Sequence, residues 1–195
     1  WEPVASVVDA LDAAFYLSFR NVTPTGKRVM YAIDVSLSMT WHTLNGVPGL
    51  TPRVGAAALA LLGAATERHT LTAAFSHGMV PLAISPRQRL DDVIKTIEDT
   101  PVGGTDCALP MQHALANGLE VDAFVVLTDN ETHSGRMHPM TALKQYRDRT
   151  GIPAKLIVVG MTATGFTIAD PNDAGALDVV GFDPSVPQLI SDFIR

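Results

Sequence analysis

A three-layer α/β fold, doubly wound on a mostly parallel sheet with one antiparallel edge strand, is the class this sequence of 195 residues predicts. Three observations carry that expectation. Continuous Val, Ile and Leu runs at 28–34, 122–128 and 154–160 read as strands buried on both faces, the signature of a parallel sheet covered by helices. Segments of helical periodicity separate these runs along the chain. A hydrophobic content of 47% over this length is enough for one well-buried core.

The elements follow in order. Val4, Val7, Val8, Leu11, Phe15 and Phe19 recur at helical spacing, so a first helix over residues 4–19 carries one apolar stripe for the domain body or for a preceding region. "NVTPTGK" breaks it. "RVMYAID" then reads as a strand, "RVGAAALALLGAATE" as a helix and "TLTAAF" as a strand. Pro81 within "GMVPLAI" has no amide hydrogen to give a ladder, which places that short strand at a sheet edge, antiparallel to its neighbour. "QRLDDVIKTIED" and "ALPMQHALAN" read as helices on either side of the loop "TPVGGTD". The strand "DAFVVLT", the helix "HPMTALKQYRDRT", the strand "AKLIVVG", a short strand around "LDVVGF" and the helix "VPQLISDFI" complete the chain. Because the first residue is Trp1, the chain is expected to be a fragment, with 1–26 a helix and linker from a preceding region and 27–195 the α/β domain.

Composition narrows the function. Lys and Arg total 14 against 20 Asp and Glu, a net charge of −6 that opposes a polyanionic partner, and no basic run offsets it. Any direct RNA contact would be a local patch around Arg136, Arg147 and Arg149. The single Cys107 cannot form an internal disulfide, which fits a reducing compartment. No apolar run approaches the roughly 20 residues that span a bilayer, and the start lacks the features of a secretory signal. A cytoplasmic domain, monomeric and without a membrane partner, is the expectation.

In doubly wound sheets, ligands sit at the carboxyl ends of the strands where strand order reverses. Three loops there carry oxygen donors: Asp34, Ser36 and Ser38 after the first strand, Thr105 and Asp106 in "GGTD", and Asp129 after "AFVVLT". Two carboxylates ending adjacent strands would repel, and one would take up a proton unless a cation relieved them. Oxygen donors without a nearby His or Cys favour Mg²⁺, with Mn²⁺ or Ca²⁺ as substitutes. If Ser36, Ser38 and Thr105 ligate directly while Asp34 and Asp129 hold waters, little of the ion's charge is neutralised. Such an ion would accept the carboxylate of an Asp or Glu on a partner protein.

That set resembles the metal-ion-dependent adhesion site of von Willebrand factor A domains: "DVSLS" matches their Asp-x-Ser-x-Ser, Thr105 their threonine loop and Asp129 their later aspartate. The blocks "PVGGTDCALPM", "VLTDNETHSG", "IPAKLIVVGMT" and "GFTIADPND", with "PTGKRVMYAIDVS" leading in, resemble more narrowly the carboxyl-terminal A domain of the Ro ribonucleoprotein autoantigen family, in its bacterial form. That resemblance implies a longer protein in which a ring of helical repeats precedes this domain, binds Y RNA and takes in misfolded RNA ends. The RNA role rests on the resemblance and not on these residues. Asn130 and Glu131 follow Asp129 where many A domains have glycine, so Glu131 either sits beside the metal or faces away.

Other readings compete. Asp34 could be the nucleophile of a phosphotransferase of the haloacid dehalogenase kind, with Ser76 holding phosphate and Lys155 neutralising it. That chemistry wants a second acid two residues on, and Ser36 stands there. A dinucleotide site would need a glycine fingerprint where "DVSLSM" is found. Gly103 and Gly104 are expected to allow unusual dihedrals or close backbone approach, Asp106 to tie down its loop, and Cys107 to pack. Met39, Trp41 and Met137 lie in loops near the site. Each either contacts a partner or folds onto its own domain, and Trp41 or His42 could partly cover the metal.

Overall fold

A computed structural model describes residues 2–129, 135–162 and 168–195. Among these residues six strands run β1 (Arg28–Asp34), β2 (His69–Phe75), β3 (Met79–Pro81), β4 (Ala123–Thr128), β5 (Lys155–Gly160) and β6 (Ala176–Val180). The helices are α1 (Ala5–Ser18), α2 (Pro52–Thr66), α3 (Leu90–Glu98), α4 (Leu109–Ala116), α5 (Pro139–Thr150) and α6 (Val186–Ile194). One sheet holds the strands in the order β3-β2-β1-β4-β5-β6, all neighbours parallel except β3 against β2. Pro81 closes β3 at that edge, where its missing amide hydrogen costs no inner ladder bond.

The central strands bury both faces because their side chains alternate into two cores. Val29, Tyr31 and Ile33 of β1, with Val125, Leu127, Ile157 and Val159, pack under α2, α3 and α6. Met30 and Ala32, with Phe124, Val126, Leu156 and Val158, pack under α4 and α5. On that second face the Tyr146 hydroxyl donates to the Leu119 carbonyl (2.7 Å) and accepts from the Val121 amide (2.7 Å), joining α5 to the entry of β4. On the first, Gly63 of α2 gives its missing side-chain volume to the Tyr31 ring.

At the amino ends of the strands, Asp122 receives the Arg28 amide (2.8 Å) and the Arg28 guanidinium, which holds its carboxyl below the usual range and pins β1 beside β4. Lys155 lies at the same end, its ammonium on the Phe193 and Ile194 carbonyls.

The apolar stripe of the first helix divides: Phe15, Tyr16 and Phe19 pack against the body, whereas Val4, Val7, Val8 and Leu11 are exposed. Of the three arginines of the expected basic patch, Arg147 is paired with Asp173 and donates to the Ala154 carbonyl (2.7 Å).

Candidate functional site

Strand order reverses at β1, which has β2 on one side and β4 on the other, so the ends of β1 and β4 form the switch point at which doubly wound sheets hold ligands. Asp34 is the last residue of β1, and the register pairing Ile33 with Leu127 brings Thr128 opposite it. Asp129 follows at once and is buried. Ser36 and Ser38 lie in the turn that leaves β1, and Thr105 comes in from the α3–α4 loop.

Asp34 organises this cluster. It is fully buried, and both its oxygens are engaged. Oδ1 accepts the Ser36 amide at 2.8 Å, which turns the chain so that Ser36 lies at the switch point. Oδ2 accepts the Thr128 hydroxyl at 2.8 Å and the Thr105 hydroxyl at 3.2 Å. A hydroxyl that gives its proton to a carboxylate keeps acceptor capacity on the same oxygen, which is what a metal uses. Burial pushes the Asp34 carboxyl above its ordinary range; the Ser36 amide and Thr128 hydroxyl pull it back, and the Asp129 charge adds to the push.

The serine hydroxyls supply the geometric test of metal fit. Ser36 Oγ and Ser38 Oγ are 3.0 Å apart. Neighbouring oxygens of an octahedral Mg²⁺ with bonds of about 2.1 Å are separated by about 3.0 Å. The same spacing serves as a hydrogen bond between the two hydroxyls, so the pair is in place with or without an ion. Among the described residues no group of three or more His, Cys, Asp and Glu gathers, so a cation held here would rest on hydroxyls with two carboxylates behind them.

Asp34, Ser36, Ser38 and Thr105 are thus linked by hydrogen bonds at the ends of β1 and β4, and Asp129 lies close enough for its charge to act on Asp34. Sequence reasoning missed Thr128, which the lateral register of β4 against β1 brings opposite Asp34. Glu131 lies outside the described residues. Asp106 accepts the Ala108 amide (3.0 Å) and so ties down the start of α4, and Cys107 is buried in the core. A Cβ on Gly103 would fall 2.6 Å from the His77 ring and 2.9 Å from Ser76 Cβ, so close approach explains that glycine. Met39 is fully buried, contrary to a partner-facing role, and Met137 is partly buried against the second core. Trp41 remains exposed. A cleft of about 300 Å³ beside the threonine loop is lined by Ser76, His77, Asp106, Gln112, Arg136 and Met137.

The phosphotransferase arrangement does not assemble. Lys155 opens β5 at the opposite end of the sheet from Asp34, and Ser76 donates to the Pro101 carbonyl (3.3 Å).

A doubly wound sheet with this carboxylate and hydroxyl cluster at its switch point defines a von Willebrand factor A-type domain. Residues 28–194 match the family model described as the Ro60 vWA domain, and the chain belongs to that family. It is 49% identical over its whole length to RNA-binding protein RO60 of Deinococcus radiodurans and 41% identical to RNA-binding protein RO60 of Caenorhabditis elegans. The chain spans 37% and 30% of the length of those relatives. The crystal structure of the Deinococcus radiodurans RO (RSR) protein superposes on the whole chain with a TM-score of 0.93 at 49% identity, the match covering 39% of that protein. Ser36 stands where a phosphotransferase needs a second acid.

Proposed function

We propose that this chain is the metal-dependent binding domain of a Ro-like RNA-binding protein, and that its site captures an acidic side chain of a protein partner. The reading is supported above all by Asp34, which collects the Ser36 amide and the Thr105 and Thr128 hydroxyls while the two serine hydroxyls stand at the spacing of adjacent Mg²⁺ ligands. Ser36, Ser38 and Thr105 would hold Mg²⁺ directly, with Mn²⁺ or Ca²⁺ as substitutes, and Asp34 and Asp129 would hold it through water. Bound there, the ion would supply a positive centre that neutral ligands leave largely uncompensated. Asp34 meanwhile orients the hydroxyls, and the buried surroundings strengthen the attraction for a carboxylate from outside.

Recognition of Y RNA and of misfolded RNA would belong to the longer protein, in keeping with the RNA-binding relatives of which this chain spans about a third. A cytoplasmic place suits a domain whose only cysteine is a buried thiol. Among the described residues no helix is long and apolar enough to cross a membrane.

Isothermal titration with Mg²⁺ tests the reading. The chain is expected to bind the ion, and Asp34→Ala and Ser36→Ala are expected to abolish that binding with circular dichroism unchanged. No heat of Mg²⁺ binding by the intact chain would overturn it.

A further inference from the structure

Three bulky apolar side chains stand exposed on the two loops that carry Ser36, Ser38 and Thr105. Leu37, between the two serines, is 58% exposed, Trp41 70% and Val102 48%. Leu37–Thr40 forms a 3-10 turn, and the Trp41 amide donates to the Ser38 carbonyl at 3.0 Å, so Leu37 and Trp41 ride on the turn that carries the hydroxyl pair. Val102 stands three residues before Thr105, in the loop that Gly103 presses against Ser76 and His77. The same turn buries Met39 completely, so it has access to the core and still leaves Leu37 and Trp41 outside. Exposed apolar residues scattered singly are ordinary, but a group around a polar centre marks a contact surface.

Charge selects the occupant. A cation under-neutralised by hydroxyls takes one anionic group, whereas Asp34, Asp106 and Asp129 close by and a net charge of −6 disfavour a chain of phosphates. An isolated carboxylate with apolar neighbours satisfies both the centre and the rim. We propose that Leu37, Trp41 and Val102 form a collar selecting an Asp or Glu that is flanked by bulky apolar residues on a protein segment. This rests on the metal reading above and adds to it what the partner must carry beside its carboxylate. Trp41 is the anchor, since tryptophans placed beside a binding centre dominate contact energies.

The test uses fluorescently labelled, end-capped short peptides and anisotropy in saturating Mg²⁺. One peptide has a Glu between Leu and Phe, a second has the same Glu between serines, and a third has the Leu and Phe flanks with the Glu replaced by Gln. The first is expected to bind about tenfold more tightly than the second, or about 1.4 kcal/mol, and the third not at all. Trp41→Ala and Val102→Ser are expected to remove most of the tenfold preference while leaving the Mg²⁺ titration unchanged. Equal Mg²⁺-dependent affinity for the first two peptides would overturn the collar and leave the metal reading standing. Absence of Mg²⁺ binding would overturn both. A single-stranded RNA that displaces the first peptide and loses its own binding in Trp41→Ala would assign Trp41 to base stacking and overturn the protein-segment proposal.

Discussion

Asp34 is at once the organising residue of the site and a liability of the fold, because a carboxylate buried beside a second carboxylate is stabilised only by what it holds. Its pKa stands above the ordinary 3.8, chiefly through burial. A carboxyl whose folded pKa is raised binds its proton more tightly in the folded state. Its contribution to stability is therefore largest below 3.8 and is lost as pH rises through the folded value. Mg²⁺ competes with that proton, so the affinity for Mg²⁺ is expected to fall as pH is lowered through the same window. Titrating Mg²⁺ at a series of pH values measures this. Asp34→Asn removes the charge and keeps the shape. Its metal-free unfolding free energy is expected to lie within about 1 kcal/mol of the parent. Mg²⁺ at a hundred times its dissociation constant is expected to add about 2.7 kcal/mol to the parent and nothing to the variant.

Asp34, Ser36, Ser38 and Asp129 stood out in the sequence because they end a strand or follow one at once, whereas Thr105, which lies between α3 and α4, stood out only through the family motif. Thr128 did not, because its role depends on the lateral register of β4 against β1, which spacing along one chain does not reveal.

At the scale of elements, runs of β-branched residues located the strands to within a residue or two, since burial on both faces leaves little sequence ambiguity. The segment from Val35 to Thr51 was opaque. It folds as two short 3-10 turns, Leu37–Thr40 and Leu44–Gly46, built from hydrogen bonds that many sequences satisfy. The exposed first half of α1 was equally hidden, because periodicity shows that a stripe exists and not what lies against it.

The packing of α2 on β1 gives a test at this scale. Gly63→Ala would gain about 1 kcal/mol of helix propensity in isolation. Its Cβ would fall 2.3 Å from the Tyr31 ring, which is 6% exposed. Overpacking costs about 1–3 kcal/mol, so the clash is expected to win and the denaturant midpoint to drop. A raised midpoint would show that the ring gives way.

For the whole molecule, the acidic balance and the sheet topology separate two tasks. On the proposed reading the β1–β4 switch point takes one small anionic group, while the net charge of −6 opposes a nucleic-acid backbone. The chain alone is expected to bind single-stranded RNA no more tightly than roughly 10⁻⁶ M at physiological salt, the ordinary non-specific range. Anisotropy across a salt series checks this, and a steep loss of tight binding with rising salt would place an RNA surface on this domain. Whole-molecule function was legible only through family resemblance, since residues that fold a domain do not state what a longer protein does with it.

Crystals grown with Mn²⁺ and measured at its absorption edge address the central claim most directly. The account predicts one anomalous peak at the β1–β4 switch point, bonded to Ser36 Oγ and Ser38 Oγ with Asp34 behind it. A switch point without a peak, or an ion whose coordination is filled by carboxylates of the domain itself, would contradict it.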